Sequence, residues 1–275
     1  MNKLLTLYDI EFKRIKKIYF SILGVLIVGN ISYFIYSLYD IVKSVEQILT
    51  VRGGLSLLKT DEAYKIIQSG KFTQMIYNVT YFMMMCAIIW CVYYAFAIWY
   101  KDFSNKTKSV YTLFMLPYNK FNIFISKLIT VVSFIYGVLV SQHILWLLEM
   151  LIIKGASGMT LSEIIDLINY NNTFGFIFNI SSIYTADIFV FYIIAPIVAV
   201  TVLFTSVMIH KSINKIGGFI AVIYILSILA IYIYYSLTYL VFSDQLLLMN
   251  LTYFLLVFLI SLFLSYKLIN DKLYV

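Results

Sequence analysis

Long apolar stretches separated by shorter polar connections dominate the chain. Six of them are long enough to cross a bilayer, because about 20 residues at a rise of roughly 1.5 Å each span the hydrocarbon as a helix. They cover approximately residues 18–39, 75–99, 124–153, 184–209, 217–242 and 245–268. Their apolar residues are continuous and do not alternate with polar ones, which indicates helices, not the strands of a membrane barrel. The pattern predicts an all-α, polytopic membrane helical bundle.

The first 17 residues have an amphipathic pattern instead. Leu4, Tyr8, Phe12 and Ile15 recur at helical spacing, and most of the neighbouring lysines lie off this stripe. Such a pattern is typical of a helix that lies on the membrane surface. We therefore expect residues 1–17 to form an N-terminal elbow helix before the first span.

Three connections are long enough to carry structure of their own. Residues 40–74 contain apolar residues at helical spacing around Gly53–Gly54, which predicts two short surface helices. Residues 154–183 contain, near their start, Thr160-Leu-Ser-Glu163, the pattern of a helix capping box. The third connection, residues 100–123, is rich in lysine and ends a helical pattern at Pro117.

Composition and charge agree with membrane embedding and argue against a soluble enzyme or a nucleic-acid-binding protein. Apolar residues make up 63% of the chain and charged residues 12%, against roughly 45–50% and 25% in soluble domains. If the N-terminus is cytoplasmic, 14 of the 20 basic residues lie on the inner side and 6 on the outer side, as the positive-inside rule requires. The net charge of +7 is then explained by a basic surplus along the inner leaflet, where anionic lipids attract it. We expect a multi-pass cell-membrane protein with both termini cytoplasmic, and no nucleic-acid partner.

Catalytic motifs are missing from the sequence. It contains no GxxxxGK[ST] phosphate-binding loop, no HExxH and no GxSxG. Cys86 and Cys91 lie in one apolar stretch without a nearby histidine or carboxylate to complete a ligand set. We therefore predict no catalytic residue, no metal site and no cofactor bound by this chain, and we expect that it is not itself an enzyme.

Few ionisable residues occur at membrane depth. His143, Glu149 and Asp187 are the main candidates, and such groups often mark functional sites because they are costly in lipid. Glu149 and Asp187 lie near predicted outer ends, where they can reach water. His143 can stay neutral and bond to a neighbouring helix. The sequence leaves both interpretations of these three residues open.

The chain resembles the permease subunits of ATP-binding-cassette (ABC) transporters of the type-2 exporter class, both in its layout and in the connection 100–123. Members have an elbow helix, six spans and a first cytoplasmic loop that contains an acid, a polar turn, a helix ending in Leu-Pro and a Lys-Leu at the next span. The turn here lacks the usual glycine. The matching positions are Asp102, Asn105, Lys106, Thr107, Lys108, Leu116, Pro117, Lys120 and Lys127.

The resemblance implies that this loop is a coupling helix for a cytoplasmic ABC ATPase subunit, which would bind ATP and Mg²⁺. It also implies a second permease subunit, as a homodimer or heterodimer. In this family the second and fifth spans generally line the pathway. The candidate pathway residues are Tyr81, Met84, Met85, His143, Tyr224 and Tyr232. An apolar, aromatic lining would suit a hydrophobic or amphipathic cargo such as a peptide or a lipid-like molecule.

Two alternatives come from other classes. An ATP-independent carrier or channel would show charged relays or helices broken by paired Gly/Pro, whereas only Pro196 lies within a predicted span. A non-transporting membrane partner in antimicrobial-peptide resistance would have the same sequence features as an exporter.

The charge asymmetry predicts the topology directly. With Cys86 and Cys91 replaced, a cysteine introduced by Lys106→Cys should react with a membrane-impermeant maleimide only after the cells are opened. Lys43→Cys, on the predicted outer side, should react in intact cells. Labelling of Lys106→Cys from outside intact cells would contradict the predicted orientation.

Overall fold

A computed structural model of the chain describes residues 3–68, 71–104, 119–158, 160, 162–163, 189–213, 216–239 and 243–271. Its elements in these ranges are all helical. Six of the helices are long and apolar enough to cross a membrane. The prediction of an all-α, polytopic bundle is confirmed.

Seven α-helices form the described part of the chain. They are α1 (Lys3–Leu49), α2 (Asp61–Gln68), α3 (Lys71–Ser104), α4 (Lys120–Ser157), α5 (Ala195–Ser212), α6 (Gly217–Tyr239) and α7 (Ser243–Asp271). A short 3-10 helix, Gly54–Lys59, precedes α2, and a π-helical segment, Phe189–Ile194, leads into α5. Pro196 lies in the first turn of α5, directly after the π-helical segment.

Helix α1 is continuous where the sequence analysis placed two elements. Its 47 residues, at about 1.5 Å each, reach roughly 70 Å, more than twice the hydrocarbon thickness of about 30 Å. The expected break in the helix after residue 17 is not observed, because no glycine or proline occurs before Gly24. The expected elbow is therefore the first part of α1, and the end of α1 takes up residues 40–49 of the predicted outer loop.

The end of α1 is defined by backbone geometry. Thr50 has a positive φ of 54° and Gly54 one of 55°, a conformation that cannot continue a right-handed helix. The Glu46 carboxylate accepts hydrogen bonds from the backbone N–H groups of Gly53 and Gly54, both at 3.3 Å. The second predicted surface helix of this loop is present as the 3-10 helix followed by α2.

The predicted capping box at residue 160 is also present. The Thr160 N–H donates to the Glu163 carboxylate at 2.9 Å, and the Glu163 N–H donates to the Thr160 hydroxyl at 3.4 Å. These reciprocal bonds satisfy two backbone donors that a helix start leaves unpaired. The rest of the predicted outer helix lies outside the described residues.

The chain divides into two compact units. The first unit consists of Met1–Lys16, Trp90–Ile135 and Tyr184–Val275, and the second of Lys17–Ile89 and Tyr136–Ile183. In the first unit α5 packs on α6 and α7. Hydroxyl groups join these helices: Thr205 bonds Ser265 at 2.9 Å, and Tyr224 bonds Ser261 at 2.7 Å. Interhelical hydroxyl bonds of this kind help helices associate in lipid, where the hydrophobic effect does not drive helices together.

In the second unit two polar pairs join α1 and α3 to α4. The Asn30 and Gln142 amides, both fully buried, donate to each other at 3.2 and 2.8 Å. The Trp146 indole N–H donates to the Thr80 hydroxyl at 2.9 Å. Since a buried amide without a partner costs free energy, the Asn30–Gln142 pair fixes the register of α1 against α4.

The reciprocal amide pair generates a stability prediction. Asn30→Leu leaves the Gln142 amide buried without its partner, so it should lower the free energy of unfolding by about 1–3 kcal/mol. The double variant Asn30→Leu/Gln142→Leu removes both amides and should recover most of that loss. Unfolding in mixed detergent micelles measures both values, with Thr252→Ala as an exposed control. A double variant as unstable as the two single losses added together would contradict the pairing.

Candidate functional site

A lysine without access to water lies at the centre of the site. Lys127 is in the third turn of α4 and is 0% exposed. Its Nζ lies 2.6 Å from Glu11 Oε1 on α1 and 2.5 Å from Asp102 Oδ2 on α3. Both carboxylates are buried as well. A buried ammonium is tolerated only with close, well-oriented opposite charges, and two carboxylates provide them here.

A second cation balances the second carboxylate. The Arg14 guanidinium lies 2.8 Å from Asp102 Oδ1 and 3.7 Å from Glu11 Oε2, and about a third of its side chain is exposed. Glu11, Arg14, Asp102 and Lys127 are hereafter the charge cluster. Its two acids and two bases sum to zero, so the cluster can be buried as a neutral group. All four residues belong to the first unit.

Aromatic rings surround the buried lysine. Lys127 Nζ lies 5.2 Å from the centroid of the Trp99 ring, within the range of a cation–π interaction. Trp99 in turn contacts Phe103, Phe124 and Phe204, with ring centroids 5.7 to 6.2 Å apart. This apolar surround keeps water away and strengthens the electrostatic attraction within the charge cluster.

The charge cluster joins three separate pieces of the chain. Glu11 and Arg14 are near the beginning of α1, Asp102 is near the end of α3, and Lys127 is near the beginning of α4. Asp102 and Lys127 flank residues 105–118, which lie outside the described residues. Their ion pair therefore joins the end of α3 to the beginning of α4, and these two points form the base of the segment between them. Glu11 ties α1 to the same base.

The structure places only part of the predicted coupling loop. Asp102 and Lys127 meet in the charge cluster, and Lys120 is the first residue of α4 and is half-buried. Six predicted positions lie outside the described residues: Asn105, Lys106, Thr107, Lys108, Leu116 and Pro117. The coupling role of these residues stays a prediction.

The predicted pathway residues are divided between the two units. In the second unit Met84 is buried, Tyr81 is half-buried, and Met85 is 38% exposed. In the same unit, His143 Nδ1 lies 2.7 Å from the Leu139 carbonyl oxygen and its ring meets Trp146 edge-on.

The other two predicted pathway residues are in the first unit, on α6. Tyr224 bonds Ser261, and the Tyr232 ring stacks on Phe254 with centroids 5.7 Å apart. Each of these side chains has a packing role, and their assignment to a pathway remains a prediction.

Two members of the charge cluster were missed from the sequence. The sequence pattern did not single out Glu11 or Arg14 as site residues, yet Glu11 is 4% exposed. A signal was present, because Glu11 lies four residues from Leu7 and from Ile15, and both of these are buried. A carboxylate in line with an apolar stripe indicates a buried partner of opposite charge.

Known proteins add no further assignment. Comparisons with protein-family models, curated proteins and solved structures found no match to this chain. No group of three or more metal-ligating side chains occurs among the described residues. The fold and the charge cluster define the chain as a polytopic α-helical membrane protein with a neutral ion network in its first unit.

The charge cluster predicts a strong asymmetry between single and paired substitutions. Lys127→Met leaves two buried carboxylates with one arginine and should destabilise the protein by about 3–5 kcal/mol. Asp102→Asn/Lys127→Met leaves Glu11 with Arg14 and should recover most of that loss. Unfolding in mixed micelles measures both.

The exposed Asp9–Lys13 pair on the same helix provides the matched control. Lys13→Met should change the free energy of unfolding by less than about 1 kcal/mol. A Lys127→Met protein as stable as Lys13→Met would show that Lys127 is not buried among these carboxylates.

Proposed function

We propose that this chain is the membrane-spanning permease subunit of an ABC transporter of the type-2 exporter class. The observation that carries the proposal is the buried Asp102–Lys127 ion pair at the base of the segment 105–118. A loop that passes the movement of a partner subunit on to helices must be rigidly anchored at its two ends. Four matched charges in an apolar surround provide such a base, because breaking one contact leaves a buried charge uncompensated.

The proposed mechanism is mechanical and requires no chemistry on this chain. ATP binding and hydrolysis, with Mg²⁺, take place on a separate cytoplasmic ABC ATPase subunit that docks against the segment 105–118. Its movement reaches α3 and α4 through the two ends of that segment, and α1 through Glu11 and Arg14. Nucleotide states that favour different arrangements of these helices are sufficient for transport.

The remaining parts of the proposal come from the family resemblance and from the distribution of charge along the sequence. The chain pairs with a second permease subunit, as a homodimer or heterodimer, in the cell membrane with both termini cytoplasmic. The cargo is hydrophobic or amphipathic, a peptide or a lipid-like molecule. Apolar and aromatic side chains that α3 and α6 offer, among them Met85 and Tyr232, support this cargo class.

The first experiment tests the partner. The full-length chain, tagged and purified from its own cells in mild detergent, should bring with it an ATPase that contains GxxxxGK[ST]. Co-purification of such an ATPase supports the proposal. If no such ATPase is found after crosslinking in intact cells, an ATP-independent carrier becomes the better assignment.

The second experiment tests coupling through the charge cluster. Asp102→Asn/Lys127→Met keeps the cluster neutral but removes the ion pair that joins α3 to α4. In proteoliposomes with the co-purified ATPase, permease-dependent stimulation of ATP hydrolysis should fall at least about fivefold, the lower end of usual coupling strengths. Asn30→Leu/Gln142→Leu, which removes a neutral pair in the second unit, is the matched control and should keep the stimulation. Equal stimulation in both double variants would contradict coupling through the cluster.

A further inference from the structure

A carboxyl group without a partner is buried in the second unit. Glu149 on α4 is 4% exposed, and neither of its carboxyl oxygens has a hydrogen-bond partner. None of the ion pairs formed by the described residues includes it. By contrast, the buried Glu11 of the first unit is held by Lys127. The two glutamates therefore differ in partners and not in burial.

Glu149 continues a row of polar side chains along one face of α4. Gln142, Trp146 and Glu149 are four and three residues apart, so they lie on the same face of the helix. Gln142 is bonded to Asn30, and Trp146 to Thr80. The first two positions of the row thus have partners on α1 and α3, and the third has none.

The charged and titratable side chains that the structure describes in the second unit do not neutralise Glu149. Lys43 on α1, Lys65 on α2 and Lys154 on α4 are exposed, and Lys65 pairs with Glu62. His143 is bonded to the Leu139 carbonyl oxygen of its own helix.

The remaining charged side chains that the structure describes in this unit are exposed or half-buried. They are Lys17, Asp40, Glu46, Arg52, Lys59, Asp61 and Glu163. The tyrosines of this unit whose exposure is described, Tyr33, Tyr36, Tyr39, Tyr81 and Tyr136, carry no positive charge that could pair with a carboxylate. Tyr19 on α1 is buried, and it too is a phenol.

The free energy of an unpaired charge decides the state of this group. An ionised carboxylate in an apolar interior is very costly unless it is paired, whereas the neutral acid costs only as much as any buried polar group. We propose that Glu149 is a proton-binding site inside the helix bundle. Its carboxyl carries a proton while the group is buried and releases it to water when the helices around it open.

The proposed site gives the chain a step that depends on proton concentration. On opening, the O–H bond of the acid breaks, the electron pair stays on the carboxylate, and water accepts the proton. Reclosure requires the proton to return. The site is independent of the proposed ABC permease function, since it concerns α4 in the second unit and would be present in a carrier as well.

Infrared difference spectroscopy tests the proposal directly. The full chain and Glu149→Gln, reconstituted in liposomes at neutral pH, should differ by one carbonyl band of a protonated carboxylic acid, present in the wild type and lost in the variant. Gln has the shape of the neutral acid, so the variant should fold and keep the wild-type melting temperature. Glu163→Gln, which removes an exposed carboxylate, should remove no such band. Absence of the band from the wild-type spectrum would overturn the proposal.

Chemical labelling distinguishes a proton from another cation. Dicyclohexylcarbodiimide partitions into membranes and adds to protonated carboxyl groups, so it should modify Glu149 and spare the ion-paired Glu11. Na⁺, K⁺ or Mg²⁺ added separately should leave both the label and the infrared band unchanged. Loss of the band on addition of one of these ions would show a metal-cation site and contradict a proton site.

Discussion

A lysine ammonium cut off from water is the constraint on which the described structure of the first unit depends. Lys127 is fully buried, and its charge can be kept there only because Glu11 and Asp102 reach it from two other helices. Arg14 then makes the group neutral. Each helix end is held by the others, since removing any one charge leaves its partner in an apolar surround without compensation. The ends of α1, α3 and α4 are thereby fixed at one point.

Three of the buried polar groups that the structure describes differ in how they are partnered. The charge cluster ties three helices by matched charges, and the Asn30–Gln142 pair ties α1 to α4 by matched amides. Every residue of both groups has a partner of matching chemistry, and such networks rigidify the structure around them. Glu149 alone of the three is unmatched. The charge cluster suits the transmission of movement, whereas the unmatched acid suits a change of protonation during movement.

The sequence predicted the spans well and the helix ends poorly, for physical reasons. Hydrophobicity over about 20 residues is a strong signal, so the six spanning helices could be recognised. Continuity of α1 depends on the absence of a breaker before Gly24, a weaker signal than its change from amphipathic to apolar residues. Asp102 and Lys127 could be selected from the loop pattern. The pairing of Lys127 with Glu11 could not, because it joins positions more than 100 residues apart, and such distant contacts leave no periodic trace.

The distance between α1 and α3 at the charge cluster tests the central claim most directly. Spin labels at Lys16 and Lys101, two exposed positions in the first unit, allow this distance to be measured by pulsed electron paramagnetic resonance in liposomes. With the charge cluster intact we expect one narrow distance distribution. In a Lys127→Met background the distribution should broaden and shift to longer distances. An identical narrow distribution in both proteins would show that the buried ion network does not hold these helices together.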